Sequence, residues 1–326
     1  MAFLRAVYSF HTTAALRTAI ELDLFTAIAD GAVTPSALAV RCQASERGLR
    51  TLCDFLTVQE FLTKRGTEYS LTPDSAMFLN RHSPAFLGSI VFFLTHPRQV
   101  ENFQNLTAAV RKGGSADARE IDAEHPMWVE FARSMAGLMF MPSREIAQLL
   151  GAEQGEPWKV LDVAAGHGLF GIAVAQRNPN ARVVALDWPH VLEVAAANAS
   201  RAGIGDRHTL LPGSALAVDW GSDYDLVLLT NFLHHFDRAS CENILARVHA
   251  ALKPGGRVAI LEFVPNDDRV SPPMAATFSL VMLANTPAGD AWTLREITGM
   301  LGAARLSNPV AHPLSNGIQT LVVAEK

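Results

Sequence analysis

The chain has 326 residues, enough for one large domain or two ordinary ones. Hydrophobic residues make up 49% and charged residues 18%, which predicts a substantial core and excludes global disorder. The net charge of −5 does not favour binding to a nucleic-acid backbone. Three cysteines without a CxxC pair or zinc-type spacing indicate a reduced, cytoplasmic protein without a metal site. No apolar run approaches the ~20 residues of a membrane span, so no membrane partner is expected.

The first 30 residues are predicted to be helical. Leu16, Ile20, Leu24 and Ile28 recur at steps of four and form one apolar stripe. Two interpretations stay open: an ordinary packing helix, or a helix that forms a dimer with a second copy of the chain.

Two short helices and a hairpin are predicted next. Thr34 before Pro35 and Ser45 are good N-caps, and residues 61–71 alternate around a turn that contains Gly66. Helix, helix and hairpin is the winged-helix pattern, which raises DNA binding as a rival function. Residues 32–80 hold five Lys/Arg and five Asp/Glu, whereas a DNA-reading module should carry a basic surplus.

A polar, glycine-containing stretch then separates this region from the rest of the chain. Residues 97–125 are interpreted as a connector, and residues 131–150 as an apolar bridging helix. We therefore expect a domain over 1–96, a connector with bridging helices over 97–150, and a second domain over 151–326.

The second domain alternates strands with helices. Buried-looking strands are predicted at 160–164, 182–187, 209–211, 225–230 and 257–263, with helices at 169–176, 190–202 and 239–252. Such alternation predicts an α/β fold with a doubly wound, mostly parallel, Rossmann-like sheet. Ligands of these sheets bind beyond the carboxyl ends of the strands.

Residues at two strand ends indicate a nucleotide-like ligand. Gly166 and Gly168 follow the first strand, where bare backbone can approach a ligand at the start of a helix. Asp187 ends the second strand, where a carboxylate can accept hydrogen bonds from two ribose hydroxyls. This spacing fits either a nicotinamide dinucleotide or S-adenosylmethionine. Asp187 could also cap the helix that follows it.

Five motifs in order carry a resemblance to a known family. They are DVAAGHG at 162–168, LDWPHV at 186–191, PGS at 212–214, NFLHHF at 231–236 and LKPGGRV at 252–258. The chain thereby resembles class I S-adenosylmethionine-dependent methyltransferases, and within them the two-domain small-molecule O-methyltransferases such as the caffeate and acetylserotonin enzymes. Those enzymes carry an N-terminal winged-helix dimerisation domain, so the resemblance implies a homodimer and no nucleic-acid partner.

The resemblance also implies which residues bind S-adenosylmethionine: Asp162, Ala164, Gly166, Gly168, Asp187, Trp188, Gly213, Ser214, Ala215 and Asn231. Ala164 stands where the family has its first glycine, and Ser214 where it usually has an aspartate against the adenine. The residues implied for the small-molecule acceptor are Phe131, Met135, Met139, Met282 and Asn285. Phe131 and Met135 could equally be plain core residues.

His234 matches the general base of the family, and Glu262 the carboxylate that orients it. Histidine, with an ordinary pKa near ~6.5, can remove a hydroxyl proton near neutrality. Ala291 stands where plant relatives have a second carboxylate, which neighbouring Asp290 could replace. Methylation of carbon or nitrogen, driven mainly by proximity, therefore remains an alternative to methylation of a hydroxyl.

Overall fold

The structure is a computed structural model that describes residues 2–116 and 125–326. It divides into two compact units that meet in sequence between His96 and Pro97. Within the described ranges, no helix combines the length and the apolar character that a membrane span requires.

The first unit is mainly helical. Its helices are α1 (Ala2–Glu21), α2 (Leu24–Ala29), α3 (Pro35–Arg41), α4 (Glu46–Val58), α5 (Pro73–Phe78) and α6 (Ile90–Leu94), and its hairpin strands are β1 (Leu62–Arg65) and β2 (Glu68–Leu71). The predicted caps are confirmed, because Thr34 Oγ1 accepts from Ala37 N and Ser45 Oγ accepts from Gly48 N. The predicted N-terminal helix is interrupted at Asp23, whose left-handed φ of 54° ends the α-helical path between α1 and α2.

The second unit packs helices around one large sheet. Its helices are α7 (Pro97–Gln104), α8 (Leu106–Lys112), α9 (Met127–Leu149), α10 (Leu169–Arg177), α11 (Pro189–Arg201), α12 (Arg238–Ala251), α13 (Pro273–Asn285) and α14 (Leu294–Ala303). Its strands are β3 (Lys159–Val163), β4 (Arg182–Asp187), β5 (His208–Pro212), β6 (Tyr224–Thr230), β7 (Leu252–Glu262), β8 (Ser307–Pro313) and β9 (Thr320–Glu325). The stretch expected as a connector thus contains α7 and α8.

The described strands of this sheet follow the order β5-β4-β3-β6-β7-β9-β8. Strands β3 to β7 pair in parallel, and β9 and β8 complete the sheet in antiparallel fashion. The chain order reverses between β3 and β6, so a crevice opens at their carboxyl ends. The predicted doubly wound α/β fold is confirmed, whereas β8 and β9 were not predicted.

Strand β7 begins earlier than predicted. Leu252 leaves α12 in an extended conformation and pairs with Tyr224, and the register then shifts so that Leu226 faces Arg257. Residues 253–256 therefore form an irregularity inside β7 in addition to ending the helix.

Candidate active site

The loop after β3 brings bare backbone to the crevice. Ala164, Gly166 and Gly168 all adopt positive φ values, which cost little for glycine but strain Ala164. A Cβ on Gly168 would lie 3.0 Å from Ala195 Cβ on α11. Glycine at this position therefore also lets the start of α10 pack closely against α11. The loop is tied to the next strand because Gly166 N donates to Asp187 Oδ2 at 2.8 Å.

Asp162 lies beneath this loop and is fully buried. Its Oδ2 accepts from Gly171 N at 3.0 Å, whereas Oδ1 has no hydrogen-bond partner in the described part of the chain. Burial raises the pKa of Asp162 from its usual 3.8 to about 7, and the charge of Asp187 adds to the rise. An oxygen of this kind needs a donor that the protein itself does not supply.

Asp162 should make the stability of the ligand-free protein depend on pH. The unfolded chain loses this proton near 3.8, whereas the folded chain keeps it until about 7. The contribution of Asp162 is therefore complete below 3.8 and is lost as the pH rises through about 7. Urea unfolding across this range should show the difference in unfolding free energy between wild type and Asp162→Asn declining as pH rises. A constant difference would contradict the assignment.

Asp187 ends β4 and organises the chain around it. Its Oδ1 accepts from Trp188 N at 2.7 Å, and the carbonyl of Asp187 accepts from Gly213 N at 2.9 Å. Burial raises the pKa of its carboxyl group. Trp188 precedes α11 and packs beside Ala132 of α9, forming an apolar wall next to this carboxylate.

The remaining residues of the proposed adenine side lie just after β5. Ser214 Oγ accepts from Leu216 N at 3.2 Å, which is a local turn contact. The carbonyl of Ala215 accepts from Trp220 Nε1 and Arg247, so this turn is held from the protein side.

The structure brings His234 and Glu262 together. His234 lies shortly after β6, and Glu262 is the last residue of β7. These two strands are parallel neighbours, and both side chains are buried. His234 Nδ1 lies 2.6 Å from Glu262 Oε2, while Glu262 Oε1 accepts from Phe232 N at 3.1 Å and His234 N at 3.3 Å. Because Glu262 serves as the acceptor, Nδ1 carries the proton and Nε2 is left as a proton acceptor.

His235 lies against its neighbour but has a different environment. The two histidine rings are 4.3 Å apart at an angle of 52°. Burial, with a smaller effect of His234, lowers the pKa of His235 well below its usual range, so this ring is neutral. Asp237 caps α12, because its Oδ1 accepts from Ser240 N at 2.7 Å.

Two phenylalanines near the His234 ring were not predicted. The rings of Phe263 and Phe278 stack at 3.8 Å and 16°, and the rings of Phe278 and His234 meet in an edge-to-face arrangement at 4.9 Å and 81°. Phe263 directly follows Glu262, and Phe278 precedes Met282 by one turn of α13. Such an aromatic wall suits a flat ring. The sequence indicates it only through the closeness of Phe263 to Glu262 and of Phe278 to Met282.

The other residues predicted to contact the acceptor lie on α9 and α13. Phe131, Met135 and Met139 follow one another at four-residue steps along α9, and Asn231 Nδ2 donates to Met139 Sδ at 3.7 Å. Met282 is buried on α13, whereas the Asn285 side chain accepts from Asn102 Nδ2 of α7 at 2.8 Å. Gln319, also not predicted, is buried and donates from Nε2 to Asn231 Oδ1.

Asp290 is paired with Arg269. Its Oδ2 lies 2.9 Å from Arg269, which also contacts Glu296 at 2.6 Å, and its Oδ1 accepts from Ala291 N. Among the described residues, Glu262 is the carboxylate that contacts the His234 ring. The hypothesis that Asp290 supplies a second orienting carboxylate therefore finds no support in this geometry.

Comparisons with known proteins identify the family of this chain. A family model described as an O-methyltransferase domain matches residues 144–307, and one described as an O-methyltransferase dimerisation domain matches residues 4–81. The chain is 29% identical to 3-hydroxy-5-methyl-1-naphthoate 3-O-methyltransferase of Streptomyces sahachiroi, covering 94% of this chain and 90% of the relative. It is 27% identical to acetylserotonin O-methyltransferase of Mus musculus, and this match covers 94% of this chain and 84% of the relative.

Solved structures give the same result. The crystal structure of a protein assigned as an O-methyltransferase from Nostoc punctiforme PCC 73102 superposes with a TM-score of 0.95. Its sequence is 49% identical, and the match covers 100% of this chain and 98% of that one. The fold and the family matches thus define an S-adenosylmethionine-dependent methyltransferase that acts on small molecules. The chain belongs to the O-methyltransferase family, with its catalytic and dimerisation domains in one chain.

The residues at the carboxyl ends of β3 and β4 suit the S-adenosylmethionine that this family uses. That cofactor carries a cationic amino group and two ribose hydroxyls, all of which are hydrogen-bond donors. The orphaned oxygen of Asp162 and the carboxylate of Asp187 are acceptors. In the loop after β3, Gly166 is half-buried and has room beside it, because a Cβ there would meet only the carbonyl oxygen of Ala164 at 3.9 Å. The hydrogen-bond donors of the cofactor are therefore matched by acceptors on the protein.

Proposed function

We propose that this enzyme methylates a hydroxyl group of a small aromatic acceptor, with His234 as general base and Glu262 as its orienting carboxylate. One observation carries the proposal: the buried 2.6 Å contact between His234 Nδ1 and Glu262 Oε2 at the crevice. This contact engages Nδ1 and leaves Nε2 as the basic nitrogen, which is what removal of a proton from an acceptor hydroxyl requires.

The chemistry follows from the needs of a hydroxyl nucleophile. S-adenosylmethionine, when bound, supplies a methyl group on a sulfonium centre. The acceptor oxygen attacks well only as its proton leaves, and His234 Nε2 takes that proton. The imidazolium that results is stabilised by the adjacent carboxylate of Glu262, which keeps the ring oriented throughout.

For the cofactor, we assign each part to a strand end. Asp162 with the backbone of Gly166 and Gly168 holds the amino-acid end, Asp187 holds the ribose and Trp188 flanks the adenine. The unpartnered Asp162 Oδ1 and the buried position of Asp187 beside the glycine loop support this assignment. The turn at 213–215 and Asn231 complete the proposed cofactor site.

The aromatic class of acceptor rests on the walls around the base. Phe278 faces the His234 ring, and Met282 follows one turn later on the same helix. Thioether and aromatic groups pack favourably on flat rings. The names of the two relatives likewise describe aromatic acceptors, an indole and a naphthoate. A polyketide-derived phenol belongs to the same chemical class.

Product analysis with isotope-labelled S-adenosylmethionine tests this function. A panel of phenols should be offered beside the matching methyl ethers and anilines. Labelled methyl ethers from the phenols, with no product from the blocked ethers, are expected. Transfer mainly to carbon or nitrogen would overturn O-methylation while leaving the methyltransferase class intact.

A homodimer is proposed through the first unit. Helix α1 exposes Phe3 and Phe10 by 75% and 69%, and large apolar side chains at a stable surface usually contact a partner. The double variant Phe3→Glu, Phe10→Glu should shift the mass measured by light scattering from dimer to monomer. Val58→Glu, at a position of α4 that is 76% exposed, is the matched control and should keep the dimer. A wild-type monomer would contradict the proposal.

A further inference from the structure

The segment of residues 286–289, between α13 and Asp290, makes an unusually close contact with the main chain of the proposed base. A Cβ added to Gly289 would lie 2.2 Å from the carbonyl oxygen of His234 and 2.9 Å from the carbonyl carbon of His235. Gly289 does not have a left-handed φ, so its conformation alone would accept alanine. Space is therefore what excludes a side chain at this position.

The same segment is tied internally by one hydroxyl group. Thr286 is buried, and its Oγ1 accepts from Gly289 N at 2.8 Å while donating to the carbonyl of Met282 at 2.8 Å. Gly289 is thereby connected to the last turn of α13 by two hydrogen bonds. The glycine that contacts His234 cannot move away without breaking one of them.

A second close contact supports the first residues of this segment. Ser115 N donates to the carbonyl of Thr286 at 2.8 Å. A Cβ on Gly114 would lie 2.0 Å from the carbonyl oxygen of Pro287, so no side chain fits there either. Residues 286–289 thus contact the main chain of residues 114–115 at their first two residues and the main chain of His234 at their last.

We infer that residues 286–289 form a brace that fixes the main chain of His234 and thereby keeps its ring in register with Glu262. Gly289 and Gly114 are positioning residues in this account, since neither needs to touch the acceptor. The inference rests on the proposed role of His234 as base. A base must be held closely, because a displacement of about 1 Å can cost ~100-fold in rate.

Gly289→Ala is the direct test, with Gly302→Ala as matched control. A Cβ at Gly302, on α14, meets nothing within 4 Å. Gly289→Ala should lower kcat on a phenolic acceptor by about 10- to 100-fold while leaving the Kd for S-adenosylmethionine within about twofold. In protein with ¹⁵N-labelled histidine, the downfield signal of the His234 Nδ1 proton should also move. Gly302→Ala should change neither kcat nor the Nδ1 proton signal.

A gentler pair of variants keeps the test valid if Gly289→Ala folds poorly. Thr286→Val removes the acceptor of Gly289 N, whereas Thr286→Ser retains it. The valine variant should lower kcat and move the Nδ1 proton signal, and the serine variant should restore both. Gly114→Ala combined with Gly289→Ala should cost less than the product of the two single effects, because both displace the same brace.

Three results would overturn the brace. They are an unmoved Nδ1 proton signal with wild-type kcat, a change in KM without a change in kcat, and equal behaviour of Thr286→Val and Thr286→Ser. If His234→Asn is inactive while these results are obtained, only the brace fails. If His234→Asn turns over at the wild-type rate, the proposed base itself fails, independently of Gly289.

Discussion

Replacing His234 with asparagine should lower kcat on a phenolic acceptor by about 10²- to 10⁴-fold, the usual contribution of a general base. The asparagine amide can still donate to Glu262 Oε2, so the buried carboxylate keeps a partner while the basic nitrogen is lost. The Kd for S-adenosylmethionine should stay within about twofold of wild type, because His234 hydrogen-bonds to Glu262 and not to the glycine loop. Titration calorimetry and steady-state rates measure both quantities.

His235→Asn is the matched control for this experiment. Its ring lies 4.3 Å from that of His234 in the same turn, whereas the Oε2 atom of Glu262 pairs with Nδ1 of His234. We expect its kcat to remain within about threefold of wild type, since it is not part of the proposed base. Equal losses in the two variants would show that the turn, and not the basicity of His234, sets the rate.

Replacing Glu262 should have the second large effect, with different consequences for glutamine and alanine. The amide nitrogen of Glu262→Gln would face the Nδ1 proton and favour the tautomer in which Nε2 is protonated and cannot act as a base. We expect kcat to fall by about 10²- to 10⁴-fold, by analogy with other oriented histidine bases. Glu262→Ala should also destabilise the fold, because Phe232 N and His234 N lose their shared acceptor.

The destabilisation by Glu262→Ala should be measurable in urea. Two buried N–H groups without partners cost about 1–3 kcal/mol each in unfolding free energy. Glu242→Gln is the matched control, since Glu242 is an exposed residue of α12 paired with Arg238 at 2.9 Å. Exposed pairs of this kind contribute about 0–1 kcal/mol, so the control should hardly change. Similar losses for both variants would contradict the buried-acceptor role of Glu262.

Sequence patterns were sufficient where local chemistry determines structure. The apolar runs of β3, β4 and β6 predicted their strands within a residue or two, because buried parallel strands are continuously hydrophobic. The caps at Thr34 and Ser45 were predicted because a side-chain oxygen before a helix has one local partner. His234 and Glu262 were paired in advance through the resemblance to the O-methyltransferase family, and neighbouring parallel strands that end at the same edge bring them together.

The features that could not be predicted depend on contacts between distant segments. Nothing near Gly289 in sequence indicates that it packs on the carbonyl of His234, and nothing near Phe263 indicates that it stacks on Phe278. Asp290 lies one residue from the expected carboxylate position, but Arg269 binds it instead. Strands β8 and β9 were missed although Thr320–Glu325 is apolar, because their antiparallel pairing forms only in the complete sheet.

The pairing of His234 with Glu262 as one catalytic unit is the central claim, and a double-mutant cycle on kcat tests it most directly. The cycle comprises wild type, His234→Asn, Glu262→Gln and the double variant, all saturated with S-adenosylmethionine. If the two residues act as one base, the double variant should be no slower than the worse single variant. A loss of kcat in the double variant equal to the product of the two single losses would contradict the claim, because it would mean that each residue contributes independently.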